Sequence, residues 1–285
     1  MQDHLIIDGR NNLYRLVFAC LSVGNEEFVE SVMRSTVSYI SRFNPKHVHV
    51  AWDYAGDNWR KAIYAPYKDR ASQRLQWNEK YGCDVVDVVN VATPIIEEGF
   101  NHLGIRQYTY KYQEADDLMY SLCSVLHKQS KGIVVVSSDG DLVQLSQQFN
   151  NVKVFNQLKD SFEKEPENNV IRIKCLKGDK SDNISGFKGI GPKKAAILSE
   201  DKEKLDKFLD AGDGSRREYY NLYEKLIDLS KNPFLDHNNN YVAKLINKEV
   251  NTYKSSEFQR YLRKHKLSKL LMELRKFKKI CSGLC

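Results

Sequence analysis

The chain reads as an α/β protein: a mostly parallel central sheet with helices on both faces, followed by an all-helical region. Three observations predict this. Strand-like and helix-like segments alternate through about the first 170 residues, the pattern of β–α–β crossovers. Acidic residues recur just past the ends of the strands. Beyond residue 203 the sequence is helical throughout and steadily more basic, ending in "FQRYLRKHKLSKLLMELRKFKK".

The elements follow in order. "HLIID" is a short buried strand, and "DGRNNLYRLVFACL" supplies a turn and a helix. Residues 26–43 have helical spacing, and "KHVHVAWD" alternates and is rich in valine, as a strand does. Residues 54–76 are basic and aromatic without clear periodicity. A helix is expected over 93–103, a strand in "GIRQYTY" and a helix over 114–128. "KGIVVVSSDGD" is a fully apolar strand running into a turn; a helix at 142–148 and the strand "VKVF" come next. The polar stretch "KDSFEKEPENN" reads as a linker, dividing an α/β domain (1–170) from a helical region (171–285).

The 285 residues suffice for a sizeable core, and 41% hydrophobic with 28% charged residues is ordinary soluble composition. A net charge of +7 points toward nucleic acid or another polyanion. The six cysteines form no CxxC pair, which disfavours zinc and a disulfide framework; only Cys281 and Cys285 lie close, on a tail expected to fray. "MQDHLIIDGR" lacks the features of a signal peptide, and no apolar run would span a bilayer. A cytoplasmic location is expected, in a bacterial host if the chain is phage-encoded.

Open α/β sheets bind ligands at the carboxyl ends of their strands. Asp8 and Asp53 end the first two strands, Glu114, Asp116 and Asp117 open the helix after the third, and Asp139 and Asp141 follow the fourth. Each alone could be a cap or turn residue. Together they converge on one sheet edge. Two like charges about 4 Å apart repel by roughly 4 kcal/mol at an effective dielectric near 20, so such a pocket must take up protons or cations. Oxygen-only ligands suit Mg²⁺ or Mn²⁺, and a pair of such ions serves in-line displacement at a phosphodiester.

"GFKGIGPKKAA" is a turn entering a helix. Gly189 and Gly191 allow close backbone approach, Pro192 suits the first helical position, and free N–H groups there can meet a phosphate. Lys188, Lys193 and Lys194 add charge, giving a candidate sequence-independent grip on a nucleic-acid backbone. The stretch is no P-loop, because Pro192 stands at the lysine position. "DGD" opens no EF-hand, because Asn150 stands at the closing glutamate.

In order along the chain, "IIDG", "AWD", "EADD", "SSDGD", "LKGDKSDN" and "GFKGIGPKKA" resemble the 5′-nuclease superfamily of flap endonucleases and 5′–3′ exonucleases, most of all its short bacteriophage members, the phage 5′–3′ exonucleases and RNase H type included. The resemblance covers residues 3–200. It implies an acidic two-metal site followed by a helix–three-turn–helix element gripping duplex DNA. The metal set it implies is Asp8, Asp53, Glu114, Asp116, Asp117, Asp139, Asp141, Asp179 and Asp182. The last two come from the resemblance alone, and their spacing would suit one helical face.

Residues 54–90 correspond to the family's arch or gateway over the site. There Lys68 is the candidate to contact the scissile phosphate, with Arg60 and Arg70 beside it as catalytic candidates. Arg70 comes one place earlier than the family pattern has it. Trp59, Tyr64 and Tyr67 are candidates to stack on bases or simply to pack. Arg10, and the basic helix with Arg260, Arg263, Lys264 and Lys266, are further phosphate candidates, equally readable as solvated charge.

The function implied is a Mg²⁺-dependent, structure-specific 5′-nuclease acting near single-strand/duplex junctions in primer removal. Two Mg²⁺ are expected, with Mn²⁺ substituting, and K⁺ is a further candidate at the glycine-rich turn. The expected partners are DNA and RNA/DNA duplexes with 5′ single-stranded ends, with a replication clamp or single-strand-binding protein as further candidates; the protein is expected to be monomeric. A non-catalytic DNA-binding protein that keeps the fold and a metal-dependent phosphatase are the alternatives.

Overall fold

Strands β1 (His4–Asp8), β2 (His47–Ala51), β3 (Arg106–Tyr108), β4 (Ile133–Val136), β5 (Val152–Asn156) and β6 (Ser161–Phe162) form one sheet of order β3-β2-β1-β4-β5-β6. This is the arrangement in a computed structural model of the chain, which describes residues 2–248 and 252–284. β1 pairs in parallel with β2 and β4, placing Ile6 between His49 and Val135. Only β6 runs antiparallel, so the stretch read as a linker carries an edge strand; Phe162 seats it against Phe155 (5.4 Å) and Phe43 (5.8 Å).

Helices α1 (Gly9–Cys20) and α2 (Asn25–Phe43) follow β1, α3 (Trp59–Ile63) and α4 (Ala71–Tyr81) follow β2, and α5 (Val85–His102) leads to β3. α5 starts eight residues before the expected Thr93: Asp84 caps it by accepting from the Val86 and Asp87 amides, and the helix runs through Pro94. α6 (Ala115–Leu126) precedes β4, and α7 (Val143–Gln148) connects it to β5. Leu5, Ile7, Val48, Val50, Val134 and Val136 face α1, α2 and α5, while Ile6, Ile133, Val135 and Val154 face α6 and α7. Both faces are thus covered, as a parallel sheet requires.

After residue 170 the chain divides between three cores. α8 (Val170–Lys177), α9 (Pro192–Glu200), α10 (Lys202–Asp210) and α11 (Ser215–Ile227) build a lobe with its own apolar centre, into which Tyr67 inserts. α12 (Leu235–Ile246) returns to pack on α6 through Val242. α13 (Ser255–Lys264), α14 (Ser268–Met272) and α15 (Leu274–Cys281) cover α2 and α5 with Phe258, Tyr261, Leu262, Leu270 and Phe277. Cys281 is fully buried there rather than on a frayed tail, and Cys285 lies outside the described residues. No helix among the described residues is long and apolar enough to cross a membrane.

Candidate active site

The strand order reverses at β1 and β4, and the chain leaves both strands through an aspartate. Asp8 caps α1, accepting from the Asn11 amide (3.0 Å), and takes a second bond from the Ser137 hydroxyl just past β4 (2.9 Å). Asp139 caps the next turn, accepting from the Asp141 amide (2.9 Å). Asp53, two residues past β2, accepts from the Ala115 amide at the start of α6 (3.0 Å). Asp8, Asp53, Asp116 and Asp139 line one cleft of about 940 Å³. Four elements therefore deliver four carboxylates to the switch point of the sheet.

Burial, and Asp53 and Asp139 beside it, push the Asp8 carboxyl up to about 7. Burial and Asp139 push Asp116 well above the usual carboxylate range, and burial and Glu114 raise Asp53. These groups resist ionising together, which is the condition a divalent cation relieves. The donors are all oxygens. The donor chemistry therefore suits a hard divalent ion, with Asp8, Asp53, Asp116 and Asp139 as the candidates, although among the described residues no group of three or more acids is already arranged to hold one.

The facing wall is basic. Arg10, Lys61, Lys68, Arg70 and Arg74 line it, with Tyr14 and Trp77. α4 has no buried residue and leans on α1 through Trp77, 5.7 Å from Tyr14 and 5.2 Å from Phe18. Lys68, at φ +46°, reaches Glu114 Oε1 (2.9 Å) and lies 4.0 Å from Asp182. Its loop is stapled from below, because the Asn183 amide donates to the Pro66 and Asp69 carbonyls.

Arg60 and Asp117 need correction. Arg60 is 1% exposed and lies beneath the cleft: it donates to both oxygens of Asp117 (2.8 and 2.9 Å), to Glu114 (2.8 Å) and to the Leu226 carbonyl (2.8 Å). It has no path to a substrate. Asp117 has both oxygens taken up by Arg60 and also accepts from the Trp59 indole and the Glu114 amide, so it faces away from the cleft. Glu114 stands between the two layers. Burial alone would raise its carboxyl, but Lys68 and Arg60 outweigh burial and hold it at about 2. Trp59 and Tyr67 are buried and pack rather than stack on bases, with the Tyr67 hydroxyl donating to Glu114 (2.9 Å). Tyr64 packs edge-on against Tyr223.

Asp179 and Asp182 sit on a loop, not on a helical face. Gly178 (φ +84°) ends α8, and Asp179 bridges to Ile184 across a tight turn. A Cβ on Gly186 would fall 2.3 Å from the Gly178 nitrogen, so the close approach of these strands requires glycine. Lys174 of α8 pairs with both Asp141 and Asp179, the latter at 2.7 Å. Burial would raise Asp179, yet Lys174 and Ser181 bring it down to about 2. Asp182 is raised by burial despite Lys68. These three acids flank the cleft but do not line it.

At the lobe, Lys188, Gly189, Gly191, Lys193 and Lys194 are all exposed, and Gly191 precedes Pro192 at the start of α9. On the far helices, Lys264 pairs with Glu98 (2.9 Å), while Arg260, Arg263 and Lys266 are exposed. Ser137, Gln144, Lys174 and Asn183, which order the acids, escaped sequence reasoning. Only Ser137 and Asn183 carried a signal, from their places inside "SSDGD" and "GDKSDN".

A parallel sheet whose strand-end carboxylates face a basic wall, with a glycine-rich turn on an adjoining helical lobe, is the architecture of the 5′-nuclease superfamily. Residues 3–174 match the family described as 5′-3′ exonuclease, N-terminal resolvase-like domain, and the chain belongs to it. It is 27% identical to DNA polymerase I of Streptococcus pneumoniae over 252 residues, covering 81% of this chain but only 27% of that polymerase. It is 27% identical to a 5′-3′ exonuclease of Bacillus subtilis over 229 residues, 72% of each chain. In fold it resembles the bacteriophage T5 D15 flap endonuclease, solved as a pseudo-enzyme–product complex with DNA and metal ions: TM-score 0.69, 16% identity, 86% of this chain and 100% of that one. It also resembles the T5 5′-exonuclease with zinc bound: TM-score 0.61, 19% identity, 95% of this chain and 99% of that one.

Proposed function

We propose that the chain is a divalent-metal-dependent, structure-specific 5′-nuclease that hydrolyses phosphodiesters near single-strand/duplex junctions, leaving a 5′-phosphate and a 3′-hydroxyl. The observation that carries this reading is the convergence of Asp8, Asp53, Asp116 and Asp139 on a cleft whose other wall is basic. Mg²⁺ is the proposed ion. Asp141, Asp179 and Asp182 flank its site. When bound, a pair of such ions supplies Lewis acidity to the attacking water and to the leaving oxygen.

The protein's own groups do the rest. Lys68, held by Glu114, presents an ammonium to the scissile phosphate without having to reorganise. Lys61, Arg70 and Arg74 neutralise the strand entering beneath α4. Lys188, Lys193, Lys194 and the amides after Gly189 and Gly191 hold the duplex by its backbone. Every contact proposed here is to the nucleic-acid backbone, so recognition in this reading follows shape. Substrates in this reading are 5′ flaps and RNA or DNA annealed to DNA, and the role is primer removal in replication.

The test is cleavage of a labelled 5′-flap duplex, with Mg²⁺ and with EDTA, by wild type and Asp139→Asn. Junction cleavage that needs both Mg²⁺ and Asp139 supports the reading. Tight binding without cleavage in Mg²⁺ and in Mn²⁺ overturns it and leaves a DNA-binding protein.

A further inference from the structure

The backbone from Leu226 to Leu229 joins two bodies. Leu226 and Ile227 end α11 inside the core of the helical lobe, while Leu229 already belongs to the core beneath α6. Two buried side chains grip this joint. Arg60 donates to the Leu226 carbonyl (2.8 Å). Gln144, 1% exposed on α7, donates from Nε2 to the Ile227 carbonyl (3.1 Å) and accepts at Oε1 from the Leu229 amide (3.0 Å). The same Nε2 donates to the carbonyl of Asp141 (2.9 Å).

Each gripping residue thus has a second end at or just beneath the acidic site. Arg60 ends on Glu114 and Asp117. Gln144 ends on the turn that presents Asp139 to the cleft. A primary amide offers two donors and one carbonyl oxygen, and Gln144 directs two donated bonds and one accepted bond to one turn and one joint. An apolar side chain there would leave the buried Ile227 carbonyl and Leu229 amide without this partner and would release the Asp141 carbonyl, so that the turn and the joint would relax independently.

We infer that Gln144 is a positioning residue that ties the helical lobe to the Asp139–Asp141 turn, so that nucleic acid engaged on the lobe orders the carboxylates at the end of β4. The inference rests on the proposed nuclease reading and extends it: the lobe grips substrate, and it also sets the geometry of the acids. Gln144 touches neither substrate nor the reacting atoms. Its effect passes through the Asp141 carbonyl.

The experiment is hydrogen exchange of residues 137–145, with and without a 5′-flap duplex, in EDTA so that neither metal nor turnover contributes. Wild type is compared with Gln144→Met and Gln144→Glu. The glutamate keeps the acceptor for Leu229 but loses both donors, and it serves if the methionine variant does not fold. In wild type, duplex binding should slow exchange in 137–145 by at least about fivefold. In either variant the duplex should still bind, within about threefold in affinity, while that protection is lost. In Mg²⁺, kcat should fall by roughly tenfold with KM within about twofold. Equal protection in wild type and variants overturns the inference, as does a variant that only lowers Tm with kcat unchanged. A wild type that binds no duplex would instead overturn the nuclease reading itself.

Discussion

Tyr67 places its hydroxyl 2.9 Å from Glu114 Oε2 while its ring is buried in the core of the helical lobe. One side chain thus belongs to two bodies, its apolar part to the lobe and its polar end to the acidic site. Tyr67→Phe keeps the ring and removes one charge-assisted donor. Unfolding in urea should show a loss of about 1.5 kcal/mol. A variant as stable as wild type would show that Lys68 and Arg60 satisfy Glu114 unaided.

Arg60 is a buried cation with two buried carboxylate partners. Arg60→Met strands the Asp117 charge, leaving Glu114 to Lys68 and Tyr67, and should cost about 3–5 kcal/mol by denaturant titration. Adding Asp117→Leu should recover part of the loss, because the stranded charge is removed as well. Arg60→Lys should not rescue, since an ammonium cannot replace the planar fork that spans both oxygens of Asp117 and reaches Glu114.

Asp116 is held among like charges. Asp116→Asn should therefore move two measurements in opposite directions. In EDTA its stability should rise by about 1 kcal/mol, as repulsion from Asp139 and Asp8 disappears. In Mg²⁺ flap cleavage should fall by about a hundredfold or more, if Asp116 is a metal ligand as proposed. Unchanged stability in EDTA, with cleavage in Mg²⁺ intact, would place the ion elsewhere.

At the opposite end of the sheet, His4 Nδ1 lies 3.0 Å from His49 Nε2, and His49 Nδ1 lies 2.9 Å from the Tyr108 hydroxyl. Asp3, Lys46, His47 and Arg106 surround the chain of rings. Burial and His47 bring His4 down to about 4, and burial and His4 bring His49 well below the ordinary imidazole range. At these rings the unfolded chain takes up protons near pH 6.5 and the folded one does not, so their contribution to stability falls as pH drops from about 6.5 toward 4. The raised carboxyls of Asp8 and Asp116 act in the opposite sense over the same window, so the measurement is the stability gap between wild type and His4→Phe in urea, which should shift against wild type by on the order of 2 kcal/mol between pH 7 and pH 5.

The sheet and the position of its acids were legible because both follow local rules. Apolar runs mark β1 and β4, and aspartates beyond strand ends mark the ligand edge. What stayed hidden was orientation. Nothing local distinguishes Asp116, which faces the cleft, from Asp117, one residue along and turned by a helix step onto Arg60. Arg60 itself reads as exposed basic sequence until the fold brings Glu114 and Leu226 to it, 54 and 166 residues away. The return of α12–α15 was equally invisible, because an amphipathic helix announces a buried face without naming what it is buried against.

The sheet ends on one side with the three residues of β3 and on the other with the two of β6. An edge this short offers few unpaired amides and carbonyls for another strand to copy. Self-association by strand addition, the ordinary hazard of a sheet rich in valine, has almost no template here. A protein built this way can be concentrated without its sheets recruiting one another.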